Sequence, residues 1–251
     1  MGIATTLAHD LALALDPARL MVACGMTPDP WQAVLLRSPA SRVLVLCSRQ
    51  SGKSTTTACL ALHTALYQPE SLILLLSPSL RQSQELFKKV QDAYRMLATP
   101  APLQAESALR LELGNGSRII SLPGTESTVR GYSGVALLVV DEAVRVSDDL
   151  YYAVWPMLAV SGGKLIALTT PWGKRGWFYE AWEHGAGWER TCITAYDCPR
   201  IPADFLREEQ GTMPALWFRS EYMCEFCDTV DQVFAAEFVV GAVSADVPPL
   251  F

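Results

Sequence analysis

Residues 42–66 read RVLVLCSRQSGKSTTTACLALHTAL. The apolar run that closes at Cys47 predicts a buried strand over Arg42–Cys47, and Ser54–Tyr67 predicts a helix. Between them stands a turn that ends in Gly52-Lys53-Ser54. Strand, turn and helix around that tripeptide are the setting a phosphate-binding loop requires. Unpaired N–H groups and the positive dipole end of the helix then face phosphate oxygens. Lys53 is placed for the β- and γ-phosphates, and the Ser54 hydroxyl for Mg²⁺. Gly52 lets the backbone come close. The nucleotide-binding stretch accordingly runs through Ser48, Arg49, Gln50, Ser51, Gly52, Lys53, Ser54 and Thr55, with ATP and Mg²⁺ as ligands. Cys47 stands where such loops usually open with glycine. A small thiol fits there if its φ is negative, so the pattern is weakened but the geometry survives.

The same alternation continues on both sides of this stretch. Helices are predicted over 3–15, 17–24, Trp31–Arg37 and Leu80–Leu97, and strands over Ser71–Leu76, Val135–Val140 and Lys164–Thr169. Leu109–Leu113 and Arg118–Leu122 flank Gly114-Asn115-Gly116 and predict a hairpin. Near-continuous apolar strands separated by helices predict a mostly parallel sheet covered on both faces. After about Cys198 the pattern changes. Pro199, Pro202 and Pro214 interrupt short helical pieces, and no further buried strand is expected there.

The bulk numbers agree with a globular chain. It has 251 residues, half of them apolar, and a net charge of −6. Apolar runs such as LILLLS and VALLVV are too short to span a bilayer. The acidic balance excludes blanket attraction to nucleic acid, so any such contact needs a local basic face or several copies around a strand. Seven cysteines, two of them in or just after the phosphate loop, suit reduced thiols. The single CxxC at Cys224–Cys227 lacks a second pair with ribbon spacing and is read as structural.

Two further features carry chemistry. Val135-Ala-Leu-Leu-Val-Val-Asp141-Glu142-Ala143 delivers two carboxylates from the end of a buried strand. Asp141 is suited to the Mg²⁺ shell, and Glu142 to orienting and polarising an attacking water. Arg49 sits inside the loop, where its guanidinium can reach the γ-phosphate or hold a neighbouring acid in place. A solvated arginine is the plain alternative.

A loop ending RQSGKST with an arginine inside it resembles the large terminase ATPases, the DNA-packaging motors of tailed phages. Other segments follow in the family's order. PDPWQAVLL resembles its adenine-recognition segment, which implies that Gln32 reads the adenine edge with Trp31 packed beside it. Ser127-Thr-Val-Arg130-Gly131 resembles the place of an arginine finger offered to a neighbouring subunit. Ile166-Ala-Leu-Thr169-Thr170-Pro171 resembles the coupling motif, in which Thr169 and Thr170 sense the γ-phosphate.

The resemblance covers about Pro28 to Phe238. It implies an α/β P-loop NTPase of the RecA/ASCE-like kind, with an ATPase core over 1–198. A small helical lid and linker follow over 199–251, and the family's usual nuclease domain is expected to be absent from this chain. It also implies an ATP hydrolase that moves double-stranded DNA, assembled as a ring, a pentamer by analogy, with Glu142, Arg130 and Arg49 as catalytic groups. Portal protein and small terminase subunit are the implied partners. The implied place is the host bacterial cytoplasm, with transient docking on the procapsid. Lys88, Lys89, Arg118, Lys174 and Arg175 are the candidate DNA contacts, with a solvated helix face the simpler reading of the first two. Two rivals stay open: a helicase-like nucleic-acid-dependent ATPase, and a nucleotide-binding assembly module without turnover.

Overall fold

The computed structural model describes residues 3–98, 101–124, 129 and 131–228; for residues 3–6 it describes the backbone alone. Strands β1 (Arg42–Cys47), β2 (Leu72–Ser77), β5 (Arg118–Pro123), β6 (Val135–Asp141), β7 (Lys164–Thr169) and β8 (Glu189–Ile193) run parallel. A hairpin edge, β3 (Leu103–Glu106) with β4 (Arg110–Leu113), adds antiparallel strands. The sheet order is β3-β4-β5-β2-β6-β7-β1-β8. This is an α/β fold with an eight-stranded, mostly parallel sheet.

The central strands β1, β2, β6 and β7 are apolar at nearly every position, so both of their faces are covered. On one face Val43, Val45, Ile73, Leu75, Val139 and Ile166 pack with α2 (Pro17–Ala23), α3 (Pro30–Arg37), α4 (Lys53–Tyr67) and α5 (Leu80–Met96). On the other, Leu44, Leu74, Leu76, Leu138 and Ala167 meet α6 (Asp148–Val154) and α7 (Gly176–Glu183) through Leu150, Val154, Trp177 and Phe178. Each such side chain removed from water contributes about 1.5–3 kcal/mol. Period-two alternation along each strand assigns the two cores. The helix α1 (Ile3–Leu15) precedes α2, and α8 (Ala203–Thr212) and α9 (Ala215–Glu221) follow the sheet.

Local signals account for the helix starts. Pro30 occupies the first turn of α3, where its missing N–H is no loss. Ser79 caps α5, its hydroxyl accepting from the Gln82 N–H at 3.3 Å. Gly52 precedes α4 at φ 90, in the left-handed region that favours glycine.

Two strands were not expected from the sequence. Strand β3 reads LQAE and is exposed along its whole length, and its four residues are too few for their alternation to mark a strand. Strand β8 reads ERTCI and lies on the sheet edge with most of its side chains partly exposed. Its pairing with β1 closes the sheet beside the phosphate loop.

Candidate nucleotide-binding site

The order β6-β7-β1 determines the site. Strand β1 leads into the phosphate loop, β6 ends at Asp141, and β7 lies between them. In register, Leu46 stands beside Thr169, and Asp141 beside Leu168. Three neighbouring strand ends therefore present Lys53, Asp141, Glu142 and Thr170 to one place, at the carboxyl edge where parallel sheets bind ligands.

The contacts are close. The Ser54 hydroxyl donates to Asp141 Oδ2 at 3.0 Å. Lys53 Nζ lies 3.3 Å from Glu142 Oε1 and donates to Thr170 Oγ1 at 3.4 Å. Thr169 is fully buried, and its hydroxyl donates to the Thr170 carbonyl at 2.8 Å. Glu142 has φ 50, a left-handed conformation unusual for glutamate, and its N–H donates to Asp141 Oδ1 at 3.0 Å. Backbone strain of this kind clusters at functional sites.

The charges are mutually dependent. Burial works against the Lys53 ammonium, but the Glu142 and Asp141 carboxylates outweigh it and raise its pKa. Burial raises the Asp141 pKa, and the Glu142 charge adds to it, against the pull of Lys53 and the Ser54 hydroxyl.

Ser54 and Asp141 fit a Mg²⁺ ion, since they bring two hard oxygens together at the loop's end. Among the described residues no three His, Cys, Asp or Glu gather as a metal cluster. The remaining ligands would be phosphate oxygens and water, as is usual for Mg²⁺ at nucleotide sites.

Within the loop, Cys47 ends β1 with no exposed surface, and its φ is not positive. Burial pushes its thiol up to about 12, so it is a neutral packing group. The turn is made instead by Gln50 at φ 58 and Gly52. Ser48 and Ser51 are buried. Thr55 is half-buried at the start of α4. The Ser48 N–H donates to the Ile193 carbonyl at 2.9 Å and the Arg49 N–H to the Glu221 carbonyl at 3.2 Å. The Arg49 guanidinium forms an ion pair with the Glu221 side chain. Of the alternatives for Arg49, holding an acid is the one seen here.

A cleft of about 680 Å³ opens over these groups, lined by Arg49, Gln50, Lys53, Glu142, Thr170 and Glu221, with Arg145 and Trp172 on its wall. The Arg145 guanidinium lies 3.7 Å from the centre of the Trp172 ring. Arg145, Trp172 and Glu221 escaped the sequence reading. Glu221 lies in a short helix with no signature of its own, although Arg145 stands only three residues past Glu142.

Trp31 and Gln32 are buried on α3. Gln32 Oε1 accepts from the Asp29 N–H at 2.8 Å, and neither Trp31 nor Gln32 lines the cleft. Arg130 lies outside the described residues. The candidate DNA contacts do not share one face. Lys88 and Lys89 are on α5, and Arg118 opens β5 at the amino edge. Lys174 and Arg175 follow β7 at the carboxyl edge, Lys174 being 3.8 Å from Asp228.

A mostly parallel sheet with a phosphate loop after β1, a carboxylate pair after β6 and a hydroxyl strand between them defines a P-loop NTPase fold. The chain belongs to the terminase large subunit family: the model for the N-terminal region of the T4likevirus-type subunit matches residues 44–238. It is 27% identical over 249 residues to the terminase large subunit of Thermus virus P23-45, covering 84% of this chain and 51% of that protein. The chain thus spans about half the length of the curated relatives it matches. In structure it resembles the large terminase ATPase domain of Thermus phage P74-26, with a TM-score of 0.72 and 23% identity, covering 82% of this chain and 97% of that one. It also resembles the large terminase of a thermophilic bacteriophage in complex with ADP. That match has a TM-score of 0.65 and 11% identity, covering 79% of this chain and 54% of that one.

Proposed function

We propose that this chain is the ATP-hydrolysing part of a tailed-phage terminase large subunit, whose turnover drives double-stranded DNA into a procapsid. The observation that carries the reading is the meeting of Lys53, Ser54, Asp141, Glu142 and Thr170 at three adjacent strand ends. Family membership supports the packaging role.

In this reading Lys53 takes the β- and γ-phosphate oxygens and releases Glu142. Glu142 then orients a water and draws on its proton as the water oxygen bonds to the γ-phosphorus. The bond from that phosphorus to the bridging oxygen breaks, and ADP and inorganic phosphate leave. Mg²⁺ held by Ser54 and Asp141 would neutralise charge on the β- and γ-oxygens. Arg49 in cis and Arg130 from a neighbouring subunit are the two sources of positive charge for the transition state. Gln32 and Trp31 take the adenine side, and Thr169 and Thr170 pass the change at the γ-phosphate to the segment beyond Pro171.

The core over 1–198 then acts against a lid and linker over 199–251, of which residues 229–251 lie outside the described residues. A ring follows from a finger acting in trans, and because one acidic subunit alone grips DNA poorly. Portal protein and small terminase subunit are the proposed partners, in the host cytoplasm at the procapsid. Among the described residues no helix is long and apolar enough to cross a membrane.

ATPase activity measured against protein concentration, with and without double-stranded DNA, tests this. Turnover that climbs steeply with concentration and vanishes in Arg130→Ala supports the ring. Zero turnover at every concentration would replace the motor with a non-hydrolysing switch.

A further inference from the structure

We infer that Arg200 is the base-side positioning residue of this site, its guanidinium plane forming the platform on which a purine stacks; the inference rests on the nucleotide reading above. Arg200 lies between β8 and α8, far in sequence from every loop residue. Its Nη1 donates to Asp29 Oδ1 at 2.7 Å, and its Nη2 donates to the Ser51 carbonyl at 2.6 Å. One guanidinium therefore bridges the start of α3 to the middle of the phosphate loop. Both partners are buried, Asp29 at 8% exposure and Ser51 at 1%, while the Arg200 side chain keeps 47%. Two of its nitrogens are anchored while about half of the side chain stays accessible.

Two donors converge on Gly52. A Cβ placed there would stand 2.8 Å from Gln32 Nε2 and 3.0 Å from Arg200 Nη2. The amide of Gln32 is held in one orientation because its Oε1 accepts from the Asp29 N–H, with one lone pair left over. An oriented amide beside an edge-anchored guanidinium is suited to a flat heterocycle that presents both donors and acceptors. Arginine stacks on aromatic faces, and anchoring it beforehand lowers the ordering that binding requires. Arg200 does not line the cleft that holds Arg49, Lys53 and Arg145. It meets the loop through the Ser51 carbonyl, apart from the groups that line that cleft.

Calorimetric titration of the whole chain with MgATP, and separately with inorganic tripolyphosphate and Mg²⁺, tests the assignment. Arg200→Ala is expected to weaken ATP binding about tenfold while leaving tripolyphosphate affinity unchanged. Arg200→Lys keeps the charge and the Asp29 partner but loses the plane. It should behave like the alanine variant, and it carries the same comparison should that variant unfold. Equal ATP affinity in the variants would overturn the inference, as would full rescue by lysine. Parallel loss of both ligands would also overturn it, making Arg200 a brace for the loop. An unaltered protein that binds neither ligand would instead refute the nucleotide reading itself.

Discussion

Lys53 Nζ and Glu142 Oε1 lie 3.3 Å apart across the floor of the cleft, so the cation proposed for phosphate and the carboxylate proposed for water neutralise each other. In the proposed cycle the pair makes activation conditional: Glu142 is freed when the phosphates draw the ammonium away. Glu142→Gln should therefore bind MgATP about as well as the parent. Its turnover should fall by about 10²–10⁴, the range for removing a positioned base. Single-turnover hydrolysis beside a binding titration checks this, and near-parent turnover would take Glu142 out of its role.

Asp141 provides a case in which function opposes stability. Its raised pKa means that the ionised, buried form is disfavoured in the fold. The group contributes most favourably below its ordinary value of 3.8, and that contribution declines as pH rises through the folded pKa. Asp141→Asn should thus melt higher than the parent at neutral pH, by about 2–4 °C per kcal/mol relieved, and the gain should vanish below pH 3.8. The same variant should lose Mg²⁺-dependent nucleotide binding. Melting curves across pH decide it; a lower neutral Tm contradicts the argument.

The thiol at the end of β1 invites a simple restoration. Cys47→Gly recreates the usual loop opening but empties a fully buried position and loosens the strand end. We expect a loss of about 1–3 kcal/mol in stability with no gain in ATP affinity. Denaturant unfolding and a binding titration measure the two; tighter binding would show that the loop itself is impaired by cysteine.

Arg49 and Glu221 join the loop to α9 through a pair whose arginine is two-thirds exposed, with 68% of its side chain accessible. Solvent screening limits its worth to stability to about 0.2–1 kcal/mol. A double-mutant cycle of Arg49→Ala and Glu221→Gln should show small coupling in unfolding. Arg49→Ala should lower kcat far more than Glu221→Gln. Equal kinetic effects would make the pair, rather than the arginine alone, the working unit.

Much of this was legible beforehand, for physical reasons. Strands β1, β2, β6 and β7 are buried on both faces and so appear as unbroken apolar runs. Helix α4 follows from a glycine-bearing turn. Lys53, Ser54, Asp141 and Glu142 were visible because each sits at the end of such an element, where position dictates direction. Strands β3 and β8 were hidden because an edge strand need not be apolar. Glu221 and Arg200 were hidden for another reason. Each meets the loop about 150 to 170 residues away in sequence, and nothing local marks a side chain whose partner is that remote. The basic residues proposed for DNA illustrate the reverse: charge was easy to see, but the fold places Arg118 and Lys174 at opposite edges of the sheet.

The first two amides of the loop bond to carbonyls of Ile193 and Glu221. That connection is made of main chain alone, so ordinary side-chain drift at positions 48 and 49 leaves it standing. Only proline, which has no N–H, removes it. In the proposed cycle this link would carry strain at the mouth of the turn to the end of β8 and to α9, a hard-wired lever that divergence can retune but seldom cut.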